Sequence, residues 1–364
     1  MGINPLADFI DDVSNESHLR VEADLGDGFV RLKSEEAERR QAIHDIRSSE
    51  DIVIELLRNA RDAHASHIFL ATSKSESGNT RHIVMVDDGD GIPPSMHEKV
   101  FEPRVTSKLD TMHLDKWGVH GRGMALYSVK VNADRAYIAS SALGRGTALV
   151  VDTNLNSTGE KADQSTFPRF ELDEGRHVSV HGPRNILRTS CEFAIDSRHQ
   201  SAVYVGSITN IASTLYHFGR AQLSAKDRAF ISEDQVLLTQ KLALAPDPAT
   251  FIRFGADLGL DISERSARRI MDGEIEALPP LLDLIQIKGL TMEGDSSESP
   301  KEELPVRDAR GLKISPSDMD DFSEAVARAF QDLSEKYYLH PQGEPQIRVG
   351  RDGLHISLPY TKDN

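Results

Sequence analysis

Between residues 55 and 62 the chain reads Glu-Leu-Leu-Arg-Asn-Ala-Arg-Asp. If this stretch is helical, Glu55 and Asn59 share a face and Asp62 lies one turn further on, since residues three or four apart stack on an α-helix. A carboxylate and an amide oxygen presented together suit a hydrated Mg²⁺, and a carboxylate beside it can take a proton from water. A second group, Val86-Asp87-Asp88-Gly89-Asp90-Gly91-Ile92-Pro93, closes a run with strand character. Its glycines allow a sharp turn and the close approach of a flat ligand, and an Asp held at a strand end can accept a hydrogen bond from an exocyclic amine. A calcium loop is excluded, because the acids and the turn glycine do not fall at EF-hand spacing. A third group, Trp117-Gly118-Val119-His120-Gly121-Arg122-Gly123-Met124, leads into a helical pattern, where free N–H groups and a positive dipole end make an anion site. The fourth, Gly144-Arg145-Gly146-Thr147, opens a strand. Taken singly, a solvated helix face, an Asp-Gly turn, a flexible loop and a hairpin turn account for them. Their order and spacing carry the functional reading.

Together the four segments resemble the ATP-binding domain (the Bergerat fold) shared by DNA gyrase, the Hsp90 chaperones, sensor histidine kinases and the MutL mismatch-repair proteins, known together as the GHKL superfamily. Glu55 and Asn59 match its N box, Asp87, Gly89 and Gly91 its DxGxG motif, and Gly118, Gly121 and Gly123 its second glycine box. Gly146-Thr147 matches the final Gly-Thr. The run Phe101 to Lys108, with Thr106-Ser107-Lys108 at its end, looks like the F box of the kinases and the Thr-Ser-Lys of MutL proteins. The resemblance covers residues 48–152. It implies that Asp87 holds an adenine amino group, directly and through a water that Thr147 also contacts. It further implies that Asn59 ligates Mg²⁺ on the phosphates and that Gly121, Arg122 and Gly123, followed by Met124, wrap those phosphates. Residues 108–120 would form a mobile lid, and Glu55 would polarise the attacking water. Asp62, Ile92, Gly118 and Lys108 complete the candidate ATP-binding set, with Lys108 and Arg122 the nearest cations to the phosphates. ATP and Mg²⁺ are thus the implied cofactors. Neither GxxxxGK[ST] nor a GxGxxG after the first strand of a βαβ unit occurs, so the competing nucleotide folds are disfavoured.

Glu55 points to hydrolysis, because a carboxylate there can activate water as the phosphoryl group leaves. Asn59-Ala-Arg-Asp-Ala63 and Val100-Phe-Glu-Pro103 look closer to the kinases, and His44-Asp-Ile-Arg47 resembles a phospho-acceptor box. That His, however, lies only eleven residues before Glu55, where kinases interpose a dimerisation domain. The reading is therefore a Mg-dependent ATP-binding protein, an ATPase that uses nucleotide state to switch protein contacts. Its alternatives are a histidine-kinase-like protein kinase using the same pocket and an ATP-sensing module with little turnover. Residues 153–220 hold no recognisable counterpart of the second-domain Lys that reaches a γ-phosphate in the family.

Positioning these groups requires a helix from Ser48, strands at His67–Thr72 and His82–Asp87, a short helix Met124–Asn132, and strands at Arg135–Ser140 and Thr147–Asp152. The expected class is α+β, a two-layer α/β sandwich followed by a mixed segment and a mainly helical C-terminal region. The expected division is an irregular arm and helix over 1–47, the ATP-binding domain over 48–155, a mixed segment over 156–220, helices over 221–290, a linker over 291–317, and a helix plus terminal hairpin over 318–364. Phe251–Leu260 and Ser263–Met271 form a helix-turn-helix pattern with Arg265, Arg268 and Arg269, but neighbouring acids outnumber those arginines. A plain helical protein-contact region is the better reading.

The chain of 364 residues carries a formal net charge of -16, which repels phosphate backbones and anionic lipid, so nucleic acid is disfavoured as a partner. One cysteine excludes an internal disulfide and a Cys-rich metal site. No apolar run reaches the length of a membrane span, and the first residues lack the order of a signal peptide. A cytoplasmic protein is expected, binding ATP and an unknown protein partner, with a second copy of the chain left open.

Overall fold

A computed structural model of the chain describes residues 21–33, 36–107, 113–115, 118–120, 123–172 and 178–288, with short stretches between 322 and 362. It divides into two compact units, Met1–Leu290 and Thr291–Asn364.

The first unit begins with strands β1 (Val21–Gly26) and β2 (Phe29–Leu32), an antiparallel hairpin. This corrects the expected irregular arm: Gly26-Asp27-Gly28 makes the turn, and Phe29, Val30 and Leu32 are buried, so a segment polar in composition still has an apolar face. Helix α1 (Glu36–Asp45) follows, then α2 (Ser49–Asp62). Ser48 caps α2, its hydroxyl accepting from the Asp51 N–H while the Asp51 carboxylate accepts from the Ser48 N–H. The stripe Ile52, Val53, Leu56, Leu57 and Ala60 is buried as its spacing requires.

Strands β3 (His67–Lys74) and β4 (Thr80–Asp87) come next, and β5 (Val105–Thr106) adds to the N-terminal hairpin. The short pair β6 (His113–Asp115) and β7 (Gly118–His120) precedes helix α3 (Ala125–Asn132) and strands β8 (Arg135–Ser141) and β9 (Thr147–Asn154). After β10 (Arg169–Leu172) and β11 (Val178–His181), helix α4 (Ile186–Asp196) leads to β12 (Ala202–Gly206). The main sheet has the order β12-β3-β4-β9-β8, antiparallel except for the parallel pair β12 and β3. The sheet therefore does not stop at residue 155. Its edge is completed by a strand that returns after α4.

On one face Ile68, Leu70, Ile83, Met85, Leu149 and Val151 pack with residues of α2, α3 and α4, which makes the α+β sandwich. On the other face Phe69, Ala71, Val84, Val86, Ala148 and Val150 pack with α5 (Ile208–Gln222), α7 (Pro248–Asp257) and α8 (Glu264–Met271); the short α6 (Ala225–Phe230) lies between α5 and α7 in the chain. The helical region thus covers the face that a two-layer sandwich leaves open. Burial on both sides explains why β3, β4 and β9 read as nearly unbroken apolar runs.

In the second unit β13 (Leu339–Pro341) pairs with β16 (Tyr360–Lys362), and β14 (Gln346–Val349) with β15 (Leu354–Ser357), both antiparallel. The latter is the expected terminal hairpin; its Asp352-Gly353 turn and most of residues 291–336 lie outside the described residues.

Candidate nucleotide site

Side chains directly opposite one another on antiparallel strands point to the same face. Asp87 is the register partner of Thr147, and Thr147 of Ser141, so the three form one row across β4, β9 and β8. The row continues the apolar files Ile83-Met85 and Leu149-Val151, on the face that α2 covers. Where the files end, a cavity opens. Asn59, Asp62, Asp87, Gly91, Ile92, Gly123 and Thr147 all line it, with Leu56, Met85 and Leu149 giving one apolar wall. Seven of the residues selected by motif are thereby brought together.

Three acids sit at the end of β4, and each has a different task. Asp87 is buried, and its Oδ1 accepts the Gly89 N–H at 2.9 Å. Asp88 binds back to β3, accepting the Ser66 and His67 N–H groups at 2.8 and 2.7 Å and meeting the His67 Nδ1 at 2.7 Å. Burial pushes the Asp88 carboxyl up, but the hydrogen bonds from His67 and the charge of its ring outweigh this and hold it below its ordinary value. Asp90 pairs with the exposed His64 at 2.8 Å.

The glycines serve the chain itself. A Cβ on Gly91, at φ +75°, would stand 1.9 Å from the Ala142 carbonyl oxygen, and one on Gly146, at φ +84°, would stand 1.9 Å from that of Asp87. The close approach these residues permit is of backbone to backbone, which packs the turn before Thr147 against the carboxylate's own peptide.

Helix α3 starts at the rim of the cavity, which Ala125 and Leu126 also line. Met124 at the cap position makes no side-chain bond to the helix, and first-turn N–H groups of this kind suit an anion. Met124 occupies the cap position without lining the cavity. Gly89 stands behind Asp87, also outside the lining. Gly118 lies in β7. Lys108, Gly121 and Arg122, and much of the expected lid, lie outside the described residues.

Glu55 is one turn before Asn59 and does not line the cavity; its carboxylate meets the buried Arg58 guanidinium at 2.7 Å. Asn59 does line it, and its Nδ2 is buried with no hydrogen-bond partner among the described residues. Rotated by half a turn, that amide places its oxygen where the nitrogen now stands. One amide oxygen with carboxylates nearby fits Mg²⁺, which keeps phosphate and water as most of its ligands.

Sequence reasoning missed Phe29, which reaches the cavity from the N-terminal hairpin, and Ser141. Only the register of β8 on β9 could have found the second. The single cysteine, Cys191, has its thiol pushed up to about 12 by burial, which keeps it protonated and unreactive. In the helix-turn-helix pattern Arg268 pairs with Glu264 and Arg269 with Glu274, while Phe251, Phe254, Ala267 and Ile270 face the sheet. No helix among the described residues is long and apolar enough to cross a membrane.

The sequence family of histidine kinase-, DNA gyrase B- and HSP90-like ATPases matches residues 46–181, the stretch that supplies all of the lining named above except Phe29. That segment is a GHKL ATP-binding domain. The DNA mismatch repair protein MutL of Wolbachia sp. subsp. Brugia malayi is 30% identical over 192 residues, covering 52% of this chain and 29% of that protein. MutL of Rhodopseudomonas palustris is 28% identical over 239 residues, covering 64% and 37%, and MutL of Aquifex aeolicus 37% identical over 106 residues, covering 28% and 24%. The chain thus spans well under half the length of these relatives. Full-length ShkA in complex with AMPPNP aligns over 43% of this chain and 31% of that one at 15% identity, with a TM-score of 0.22, a likeness too slight to argue from.

Proposed function

We propose that the GHKL domain binds Mg·ATP in the cavity between α2 and the sheet and hydrolyses it, and that its nucleotide state alters protein contacts. The observation that carries this reading is the convergence of Asp87, Thr147, Asn59 and the start of α3 on one void, with an amide nitrogen there that has no partner among the described residues. Asp87 and Thr147 receive the adenine edge, the apolar wall of Leu56, Met85 and Leu149 takes its faces, and Gly123 with the first N–H groups of α3 faces the phosphates. When bound, Mg²⁺ would neutralise phosphate charge beside Asn59. Glu55 orients water, with Arg58 fixing its carboxylate.

Two connections support a switch. Arg145, in the turn before Thr147, donates to the carbonyls of Glu233 and Val236 at 2.7 and 2.9 Å, tying the base end of the cavity to the helical region. At the other end the Arg104 N–H donates to the Gly123 carbonyl at 2.8 Å, while the Arg104 guanidinium pairs with Glu38 of α1. The mismatch-repair role of the relatives is not carried over, since the acidic surface and the paired arginines of α8 offer a phosphate backbone little.

Incubation with γ-labelled ATP tests the reading. Free phosphate released by the wild type and lost in Glu55→Ala supports hydrolysis. Acid-labile label on the protein, lost on replacing His44, which is exposed on α1, would instead establish the kinase. Binding with neither product would leave a sensor.

A further inference from the structure

Ser141 sits at the far end of the Asp87-Thr147 row and is buried. Its hydroxyl lies 2.9 Å from the Gly146 carbonyl oxygen, 2.7 Å from the Ile92 backbone nitrogen and 3.1 Å from the Thr147 hydroxyl. Such a hydroxyl has one proton and two lone pairs. A carbonyl can only accept and a backbone N–H can only donate, so two of the three bonds have fixed directions. They use the proton and one lone pair. The remaining lone pair must accept, and the Thr147 hydroxyl must donate to it.

We infer that Ser141 is a positioning residue that makes the base end of the cavity select a 6-amino over a 6-oxo purine. This rests on the nucleotide reading above and deepens it. With its proton committed to Ser141, Thr147 presents only lone pairs to the void, beside an Asp87 carboxylate that also only accepts. An amino group satisfies both, directly or through one water. A carbonyl oxygen there meets acceptors alone, and an unmatched buried polar group is what gives such sites their discrimination. Two features hold the arrangement. A β-bulge between Ile138 and Ser140 sets Ser141, not Ser140, opposite Thr147. His97 Nε2 lies 3.1 Å from the Ile92 carbonyl and 3.2 Å from that of Ser141. Both are acceptors, so this nitrogen carries the proton and clamps the two backbones together.

The test is calorimetric affinity of the full chain for Mg·ATP and Mg·ITP, whose bases differ at the 6-position and in the hydrogen that the 6-oxo base carries on N1. The wild type should prefer ATP. In Ser141→Ala the Thr147 hydroxyl is free to turn its proton into the cavity, and the ATP/ITP ratio should fall about fivefold to tenfold, mainly through a gain in ITP affinity. Ser141→Thr, which restores a hydroxyl, should recover the ratio. Thr147→Val should lower it, and adding Ser141→Ala to that variant should change it no further. Equal loss of both affinities in Ser141→Ala would mark a purely structural role and overturn the inference, as would a Thr147→Val protein that keeps the full preference. A wild type that binds ATP while these ratios stay fixed sinks this inference alone; a wild type that binds neither nucleotide sinks the site reading with it.

Discussion

Asp87 and Thr147 face one another directly across β4 and β9, at the point where two apolar files on the same side of the sheet turn polar. The Asp87 carboxylate is buried, accepts the Gly89 N–H and borders the cavity. Asp87→Asn keeps the shape but removes the charge. A hydrogen bond to a charged group is worth about 1.5–3 kcal/mol, so Mg·ATP affinity should fall roughly 10- to 100-fold. Calorimetry gives the number, and an unchanged far-UV spectrum shows that the fold persists.

Glu55 stands outside the cavity lining, and its carboxylate is held by Arg58. If it orients water, Glu55→Gln should leave Mg·ATP affinity within about threefold and slow phosphate release by a factor on the order of 100 or more. A coupled phosphate assay decides. Release at the wild-type rate would reduce Glu55 to the ion-pair partner of Arg58.

Gly146 tests the claim that the glycines serve backbone crowding. Its φ is +84°, and a Cβ there would come within 1.9 Å of the Asp87 carbonyl oxygen, which leaves a side chain no room. Gly146→Ala should destabilise the first unit by about 3 kcal/mol or more, since strain at such a φ adds to a clash with backbone that cannot rotate away. Denaturant unfolding with and without nucleotide measures this, and the loss should appear in both.

Asp88 makes stability depend on pH. Its carboxyl lies below the ordinary value in the fold, so its contribution is fully present above the unfolded value, about 4, and is lost as pH falls through the depressed folded value. His67→Phe removes the Nδ1 bond, keeps the backbone N–H and places a ring that can still pack on Phe218. The acid limb of the stability curve should move to higher pH. Denaturant midpoints between about pH 6 and 3 check it, and a limb that does not move would place the effect elsewhere.

The site was legible in the sequence where a residue type broke a pattern. Asp87 ends an apolar run, Asn59 falls four residues after Glu55 with Asp62 one turn further on, and Gly91 and Gly146 belong to short motifs at places where no side chain fits. What stayed hidden depends on partners distant in the chain. Phe29 looks like part of a polar arm until β2 pairs with β5, and β12 joins the sheet only by crossing back after α4. Ser141 is one of two adjacent serines, and which of them meets Thr147 is set by an irregularity of the ladder that composition does not encode.

The second covering of the sheet sets how this protein can be taken apart. Trimmed to the 46–181 stretch that matches its relatives, the chain would shed the edge strand and uncover Phe69, Val84, Val86 and Val150 as an oily plane. Such a fragment would clump rather than stay dissolved, so a portable piece of the first unit must run past α8, through Leu281, which is buried in the same core as α4, to Lys288, which pairs with β10.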